Sequence, residues 1–233
     1  MPPTPTPIPI PKIYHEDNHL LVVHKPENIP VQEDKSGDTD LLNTLKEYIR
    51  QKYGKPGKVF LGLVHRLDRP VHGIMVFART SKAASRLSEQ FRNRTVVKKY
   101  LVIVEGRAEK TGRLEHVLDK DHENNKVTVH PAGSGKGKLA VLHYRLISHK
   151  NGLSLIEVEL ETGRPHQIRV QLAAMGLPVW GDYKYGNRQP DGRKIALFSA
   201  VLEFDHPTKD ERLTFRADVP KAEPWEMFPT PGS

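Results

Sequence analysis

The chain has no cysteine among its 233 residues. Disulfides, thiolate nucleophiles and cysteine-type zinc sites are therefore excluded. The sequence also lacks the run of about 18 apolar residues that a membrane-spanning helix requires, so we expect no membrane partner. Its first residues, MPPTPTPIPIPK, have neither the basic region nor the apolar core of a signal peptide, and we expect a cytoplasmic protein.

The motifs of three common enzyme classes are missing as well. The stretch GSGKGK at Gly133–Lys138 faintly resembles a phosphate loop, but His130 and Gly137 break the Walker pattern, which favours a flexible basic loop. No HExxH occurs, and His65 and His72 lack a nearby set of further acidic ligands, so we expect no metal site. No GxSxG is present, which leaves a serine hydrolase without support.

Positive charge is abundant instead. The formal net charge is +8, with a pI of about 9.5, and the cations are spread along the chain rather than gathered in one tail. Such a surface favours a polyanion, with nucleic acid as the leading candidate. A basic protein without any nucleic-acid partner explains the charge about equally well. The prolines concentrate near both ends, which predicts tails at 1–12 and 220–233 around one domain at 13–219.

Hydrophobic patterning predicts more strands than helices. Strands are expected at 19–26, 73–80 and 98–106, with a hairpin turning at Asn151-Gly152 and closing strands at 195–204 and 212–217. Helices are expected at 39–53, 81–94 and 165–176. Neighbouring strands in sequence indicate an α+β fold, with a central, mixed and mainly antiparallel sheet flanked by helices and loops.

The segment LVHRLDRPVHGIMVFART, residues 63–80, places one carboxylate, Asp68, among several basic groups just before an apolar strand. On the residues alone, a salt-bridged surface aspartate is the favoured interpretation. Two other features point to a site: the basic pair Arg164 and Arg169, and Tyr100 behind two lysines. A carboxylate, an arginine and an aromatic ring could handle a nucleobase as nucleophile or base, charge partner and stacking platform.

Ordered motifs resemble those of the RluA-type pseudouridine synthases from about Ile13 to Ala217. They are YHEDNHLLVVHKPENIPV, HRLDRPVHGIMVFART, VVKKYLVIVEG, GKLAVLHYRLI and LETGRPHQIRVQLAAMGLPVWGDYKYG. The chain departs from the family pattern where His24 replaces an asparagine and where Val71-His72 replaces Thr-Ser. The resemblance implies the pseudouridine synthase fold. The twelve residues before Ile13 leave no room for the S4 RNA-binding module that the family often carries, so we expect the short form of the family.

The resemblance also implies the site residues. Asp68 would be the catalytic aspartate and would pair with Arg169, while Tyr100 would stack on the target uracil and later act as a base at C5. Arg66 would enter the space vacated by the flipped nucleotide. The residues expected to bind substrate are His65, Arg66, Arg164 and Gln167.

The reaction so implied converts uridine in structured ribosomal RNA or tRNA to pseudouridine. It needs no cofactor, since no redox step occurs and no outside atom is added. The expected partner is RNA, and a monomer is the default. Two alternatives stay open: a non-catalytic RNA-binding or ribosome-assembly protein that keeps the fold, and a metal-dependent RNA hydrolase.

Overall fold

The computed structural model describes residues 8–121, 123–135, 137–186 and 189–229. The first seven residues of the predicted N-terminal tail, the last four of the C-terminal tail and Lys136 of the GSGKGK stretch lie outside the described residues. Within the described ranges the chain forms three α-helices and eleven strands. The expected α+β class is therefore confirmed.

The element bounds are as follows. The strands are β1 (Ile13–Glu16), β2 (Leu20–Lys25), β3 (Gly62–Leu63), β4 (His72–Ala78), β5 (Val97–Glu105), β6 (Thr111–Asp121), β7 (Lys126–Pro131), β8 (Lys138–Lys150), β9 (Leu153–Leu160), β10 (Leu197–Asp205) and β11 (Arg212–Arg216). The helices are α1 (Leu41–Lys52), α2 (Ser81–Asn93) and α3 (Gln167–Ala174), and a single 3-10 turn covers Trp225–Met227.

Contacts divide the chain into two compact units, and the first contains Met1–Val96 and Val201–Ala217. Its strands run in the order β1-β2-β4-β10, with β3 beside β4 and β11 beside β10, and of β10 it contains residues 201–205. Strand β4 is almost wholly buried because helix α2 packs on one side of it. The strand that follows Asp68 is therefore a rigid support for that residue.

The second unit contains Val97–Ala200 and Asp218–Ser233. Its strands run β5-β9-β8-β6-β7, and each neighbouring pair is antiparallel. The hairpin turn predicted at Asn151-Gly152 is confirmed, and both residues have positive φ (51° and 75°), as a two-residue hairpin loop requires. Helix α3 contacts β6 and β7.

Helices α1 and α2 begin within two residues of the predicted positions. Helix α1 begins at Leu41 rather than at 39, and Asp40 caps it by accepting a hydrogen bond from the Asn43 backbone amide. Helix α2 begins at Ser81, as predicted, and Thr80 caps it by accepting from the Ala83 backbone amide. In each case the preceding or following residue has a side chain that could cap, so the sequence does not distinguish between neighbours.

Part of the segment expected to be a C-terminal tail packs on the second unit. Trp225 and Phe228 are buried, and the Trp225 ring meets Phe198 edge to face at 6.1 Å between centroids. Aromatic burial thus holds a proline-rich segment in place. The division into one domain at 13–219 and two tails stays a prediction. Among the described helices, none is long and apolar enough to cross a membrane.

Candidate active site

Lys25 anchors the loop that carries Asp68. It is fully buried, and its Nζ donates hydrogen bonds to three backbone carbonyls: those of Pro26 (2.8 Å), Arg69 (2.9 Å) and Val71 (2.7 Å). The Asp68 carbonyl in turn accepts from the Val71 amide at 3.0 Å. One side chain therefore fixes the turn that directly follows the half-buried Asp68.

The charge of Lys25 is weakened by its surroundings. Burial lowers the pKa of Lys25 from 10.5 to about 7, an effect that the nearby Asp68 carboxylate opposes and Arg69 reinforces. Desolvation disfavours the ammonium form, whereas an opposite charge favours it. The charges of Lys25 and Asp68 are therefore coupled electrostatically.

The two arginines beside Asp68 behave differently. Arg69 points to the preceding loop, where its guanidinium bonds Asp38 and the Ser36 hydroxyl (3.1 Å) and lies 3.8 Å from Asp34. The hydrogen bond from Arg69 lowers the pKa of the exposed Asp38 carboxyl. Arg66 is exposed, as an RNA-contacting side chain must be, and its predicted role stays a prediction.

His65 has a structural position. Its Nε2 accepts the Val76 backbone amide at 3.0 Å, and its ring stacks on Phe91 of α2 at 4.7 Å between centroids. Since Nε2 accepts, the proton of the neutral ring lies on Nδ1. The predicted contact between His65 and substrate stays a prediction, but these interactions already explain a histidine here.

The two departures from the family pattern lie side by side. The rings of His24 on β2 and His72 on β4 are 5.7 Å apart between centroids, and His24 Nδ1 is also 3.2 Å from the Tyr14 hydroxyl. Gly73 follows with a φ of 118°, a conformation that favours glycine. His72 therefore belongs to a ring pair that joins β4 to β2 at the start of the strand.

Tyr100 is buried on β5, with 8% of its surface exposed. Its register partner is Val158 on β9, so the ring stands on a hydrogen-bonded strand of the second unit. A paired strand holds a side chain more firmly than a loop would. Its predicted stacking on uracil stays a prediction.

Arg169 forms a buried ion pair with Asp182. Its Nε and Nη2 donate to the two carboxylate oxygens at 2.8 and 2.7 Å, and the side chains are only 7% and 1% exposed. The guanidinium also lies 5.2 Å from the Tyr185 ring centroid. This two-point geometry fixes the orientation of the guanidinium. The predicted pairing of Arg169 with Asp68 stays a prediction.

Gln167 shapes the loop before α3. Its side-chain oxygen accepts from the Thr162 hydroxyl (2.8 Å) and the Arg164 amide (2.9 Å), and its nitrogen donates to the Val141 carbonyl (3.0 Å). Gln167 is 3% exposed, and these bonds give it a structural role. Arg164 is more accessible and donates from Nε to the Leu139 carbonyl at 2.9 Å. Substrate binding by either residue stays a prediction.

Sequence reasoning missed two residues, Lys25 and Asp182. Lys25 ends an apolar strand before a proline, and a lysine that closes a buried strand could have indicated a buried ammonium. Asp182 gives no local signal, because its partner is thirteen residues away along an irregular chain. Each residue holds one of the predicted site residues or its loop.

Comparison with known proteins settles the family. The model of the RNA pseudouridylate synthase family matches residues 19–174, a range that includes Asp68, Tyr100 and Arg169. The chain belongs to the RNA pseudouridylate synthase family. This pseudouridine synthase is thus an isomerase, as its motifs indicated.

Curated relatives agree with this assignment. One, the uncharacterized RNA pseudouridine synthase YlyB of Bacillus subtilis, is 35% identical over 213 residues, which cover 90% of this chain and 69% of the relative. Another, the ribosomal large subunit pseudouridine synthase D of Zymomonas mobilis, is 34% identical over 229 residues, covering 93% and 71%.

Solved structures support the same fold. Human RNA pseudouridylate synthase domain containing 4 superposes with a TM-score of 0.75 at 25% identity, covering 90% of this chain and 88% of that one. Human RNA pseudouridylate synthase domain containing 1 gives a TM-score of 0.71 at 22% identity, covering 91% and 85%. At 22% identity, the second match shows a shared fold and nothing further.

Proposed function

We propose that this pseudouridine synthase modifies uridine in structured RNA, with ribosomal RNA as the first candidate substrate and tRNA as the alternative. Relatives named for the large ribosomal subunit support ribosomal RNA, and the net charge of +8 suits any structured RNA. We further propose that the protein acts in the cytoplasm as a monomer.

The chemistry requires a carboxylate that is held in place. In the reaction the N1–C1′ bond breaks, a C1′–C5 bond forms, C5 loses a proton and N1 gains one. Asp68 acts in this proposal either as the nucleophile at C1′ or as the base that removes the 2′ proton. The observation that carries the proposal is the family match combined with the turn around Asp68, which Lys25 fixes through the carbonyls of Arg69 and Val71. A carboxylate on a fixed turn needs little reorganisation before it reacts.

The other assigned roles follow the family pattern. In our proposal Tyr100 stacks on the uracil and takes part in proton removal at C5, and Arg169 favours the ionised form of the carboxylate. The target nucleotide leaves its stack before the reaction, and Arg66 fills the space it vacates. No cofactor or metal takes part, so activity is expected to survive a chelator at full rate.

The deciding experiment compares the wild type with Asp68→Asn. Ribosomal RNA and tRNA from cells that lack the gene are incubated with each protein, and pseudouridine is mapped by chemical sequencing. The wild type should modify a defined uridine. Asp68→Asn should lose at least about 1,000-fold in rate, since removal of a nucleophile typically costs more than this, while its RNA affinity changes little.

Asp210→Asn is the matched control, because Asp210 is an exposed carboxylate in the same unit. It should retain the wild-type rate. Modification by Asp68→Asn at the wild-type rate would refute the catalytic role of Asp68. A wild type that binds RNA but forms no pseudouridine would instead support the non-catalytic RNA-binding alternative.

A further inference from the structure

Two large aromatic side chains are exposed on the first unit. Tyr53 and Phe60 have 47% and 51% of their surface accessible. They lie near the two ends of the loop, residues 53–61, that joins α1 to β3. Exposed apolar side chains that lie close together, unlike scattered single ones, can mark a binding site. The surroundings of each ring indicate which partner would cover it.

Tyr53 is held in one orientation. Its hydroxyl donates to Glu16 Oε1 at 2.7 Å, and the guanidinium of Arg79 lies 4.8 Å from the ring centroid. The Glu16 and Arg79 side chains are only 9% and 8% exposed, so the ring rests on a buried charged support. Lys52 also bonds Glu16, at 2.7 Å. The exposed ring surface is therefore preorganised rather than free to turn.

The Phe60 ring occupies space that is left open because Gly62 has no side chain. A Cβ on Gly62 would come within 2.9 Å of the Ala84 Cβ and 3.3 Å of the Phe60 ring. The ring thus lies over Gly62, beside the first turn of α2. Gly62 is the register partner of Ala78, and Arg79, the support of Tyr53, comes next. Both rings therefore stand near the same end of β4.

The chain segment that carries both rings is rich in cations. Between Glu47 and Asp68 the chain has no carboxylate and five basic residues: Arg50, Lys52, Lys55, Lys58 and Arg66. Four of them, all except Arg50, occur in the segment 51–66, and all of these four are exposed. Arg50 pairs with Glu47 and Lys52 with Glu16, whereas Lys55 and Lys58 lie in the loop between Tyr53 and Phe60.

We propose that the Tyr53 surface, which comprises Tyr53, Phe60, Lys55 and Lys58, binds unpaired nucleotides of the RNA outside the target uridine. Bases stack on aromatic rings regardless of sequence, and lysines contact the adjoining phosphates. A protein partner would also cover aromatic rings, but lysine is depleted in protein–protein interfaces. The proposal deepens the proposed function, since it takes RNA as the substrate, and names a second contact region for that RNA.

The test measures binding to two RNAs: an oligouridylate of about 20 nucleotides and a duplex of the same length. Phe60→Leu and Tyr53→Leu should each raise the Kd for the single strand about tenfold and leave that for the duplex within about twofold, because only unpaired bases can stack. Tyr53→Phe keeps the ring and should stay near the wild type. A Lys55→Gln, Lys58→Gln double variant should weaken binding of both RNAs.

Controls come from the other unit. Leu139→Ala removes another exposed apolar side chain, and a Lys150→Gln, Lys221→Gln double variant removes two exposed cations; both should bind the oligouridylate like the wild type. Thermal unfolding identifies variants that fail to fold. If Tyr53→Leu does not fold, the Kd of Phe60→Leu alone tests the proposal.

Unchanged oligouridylate affinity in Phe60→Leu would overturn the proposal, and so would an equal loss on the duplex. Retained RNA affinity would direct attention to a protein partner instead. Because the readout is a Kd, this result is independent of turnover. A wild type that forms no pseudouridine contradicts the proposed function without deciding whether the Tyr53 surface binds RNA.

Discussion

At the scale of single residues, Lys25 makes stability depend on pH. Its pKa is lowered from 10.5 to about 7 in the folded protein, chiefly by burial. Between these values the unfolded chain binds more protons than the folded one, so protonation favours unfolding and stability rises with pH. The gain approaches about 1.4 kcal/mol per pH unit in that window, and the neutral amine can still donate two hydrogen bonds.

Lys25→Met removes this titration. Urea unfolding near pH 7 and near pH 9.5 should show the wild type gaining stability relative to Lys25→Met as the pH rises. The variant should also turn over RNA more slowly, because the Arg69 and Val71 carbonyls lose their common donor. Lys35→Met, at an exposed lysine, should reproduce the wild-type behaviour, and identical pH profiles for Lys25→Met and the wild type would contradict the assignment.

Asp182 supports Arg169 through a buried ion pair. Asp182→Ala removes the carboxylate that binds Nε and Nη2 of a guanidinium with 7% exposure, and breaking a buried pair from one side costs about 3–5 kcal/mol. Urea unfolding should show a loss of this size. Asp191→Ala, which removes a partly exposed carboxylate of the same unit, should cost less than about 1 kcal/mol; a similar loss in both variants would argue against a special role for the buried pair.

The sequence indicates candidate site residues but not the residues that support them. Asp68, Tyr100 and Arg169 stand in motifs that the family pattern covers, whereas Lys25 acts on a carbonyl 46 residues away. Such a contact depends on the pairing of β2 with β4, which local patterning does not determine. Gln167 is a similar case. It was expected to bind substrate, but its described hydrogen bonds are to Thr162 and Arg164 of its own loop and to the Val141 carbonyl, and local patterning does not reveal these contacts.

At the scale of elements, apolar periodicity located the strands and helices that have a buried face. The buried strands β2, β4 and β5 and the three helices were located within a few residues, because their apolar positions repeat at strand or helix spacing. Strand β6 was not delimited, since only two of its eleven residues are buried. Its pairing with β7 and β8 holds it in place, and that information lies in the partner strands.

The His24–His72 ring pair is a contact between elements, joining β2 to β4. We expect the two rings to be energetically coupled, since neighbouring aromatic rings contribute about 0.5–1.5 kcal/mol beyond their burial. Urea unfolding of His24→Asn, His72→Ser and the double variant gives the coupling energy as a double-mutant cycle. Additive losses would show that the rings do not stabilise each other. The control is a second double-mutant cycle in which His24 and His130 are both replaced, because these two residues lie in different units.

At the scale of the whole molecule, the net charge of +8 determines how RNA affinity responds to salt. Each phosphate contact with a single strand contributes about 0.7 to the slope of log Kd against log salt, and each contact with a duplex about 0.9. With about four single-strand contacts, Kd should rise about 50-fold between roughly 50 and 200 mM salt. The Lys55→Gln, Lys58→Gln variant should give a shallower slope, while Phe60→Leu should weaken binding with the slope preserved. Circular dichroism across the same range separates loss of binding from loss of folding. A Kd that changes less than about twofold would mean that stacking and hydrogen bonds, rather than the positive surface, hold the RNA.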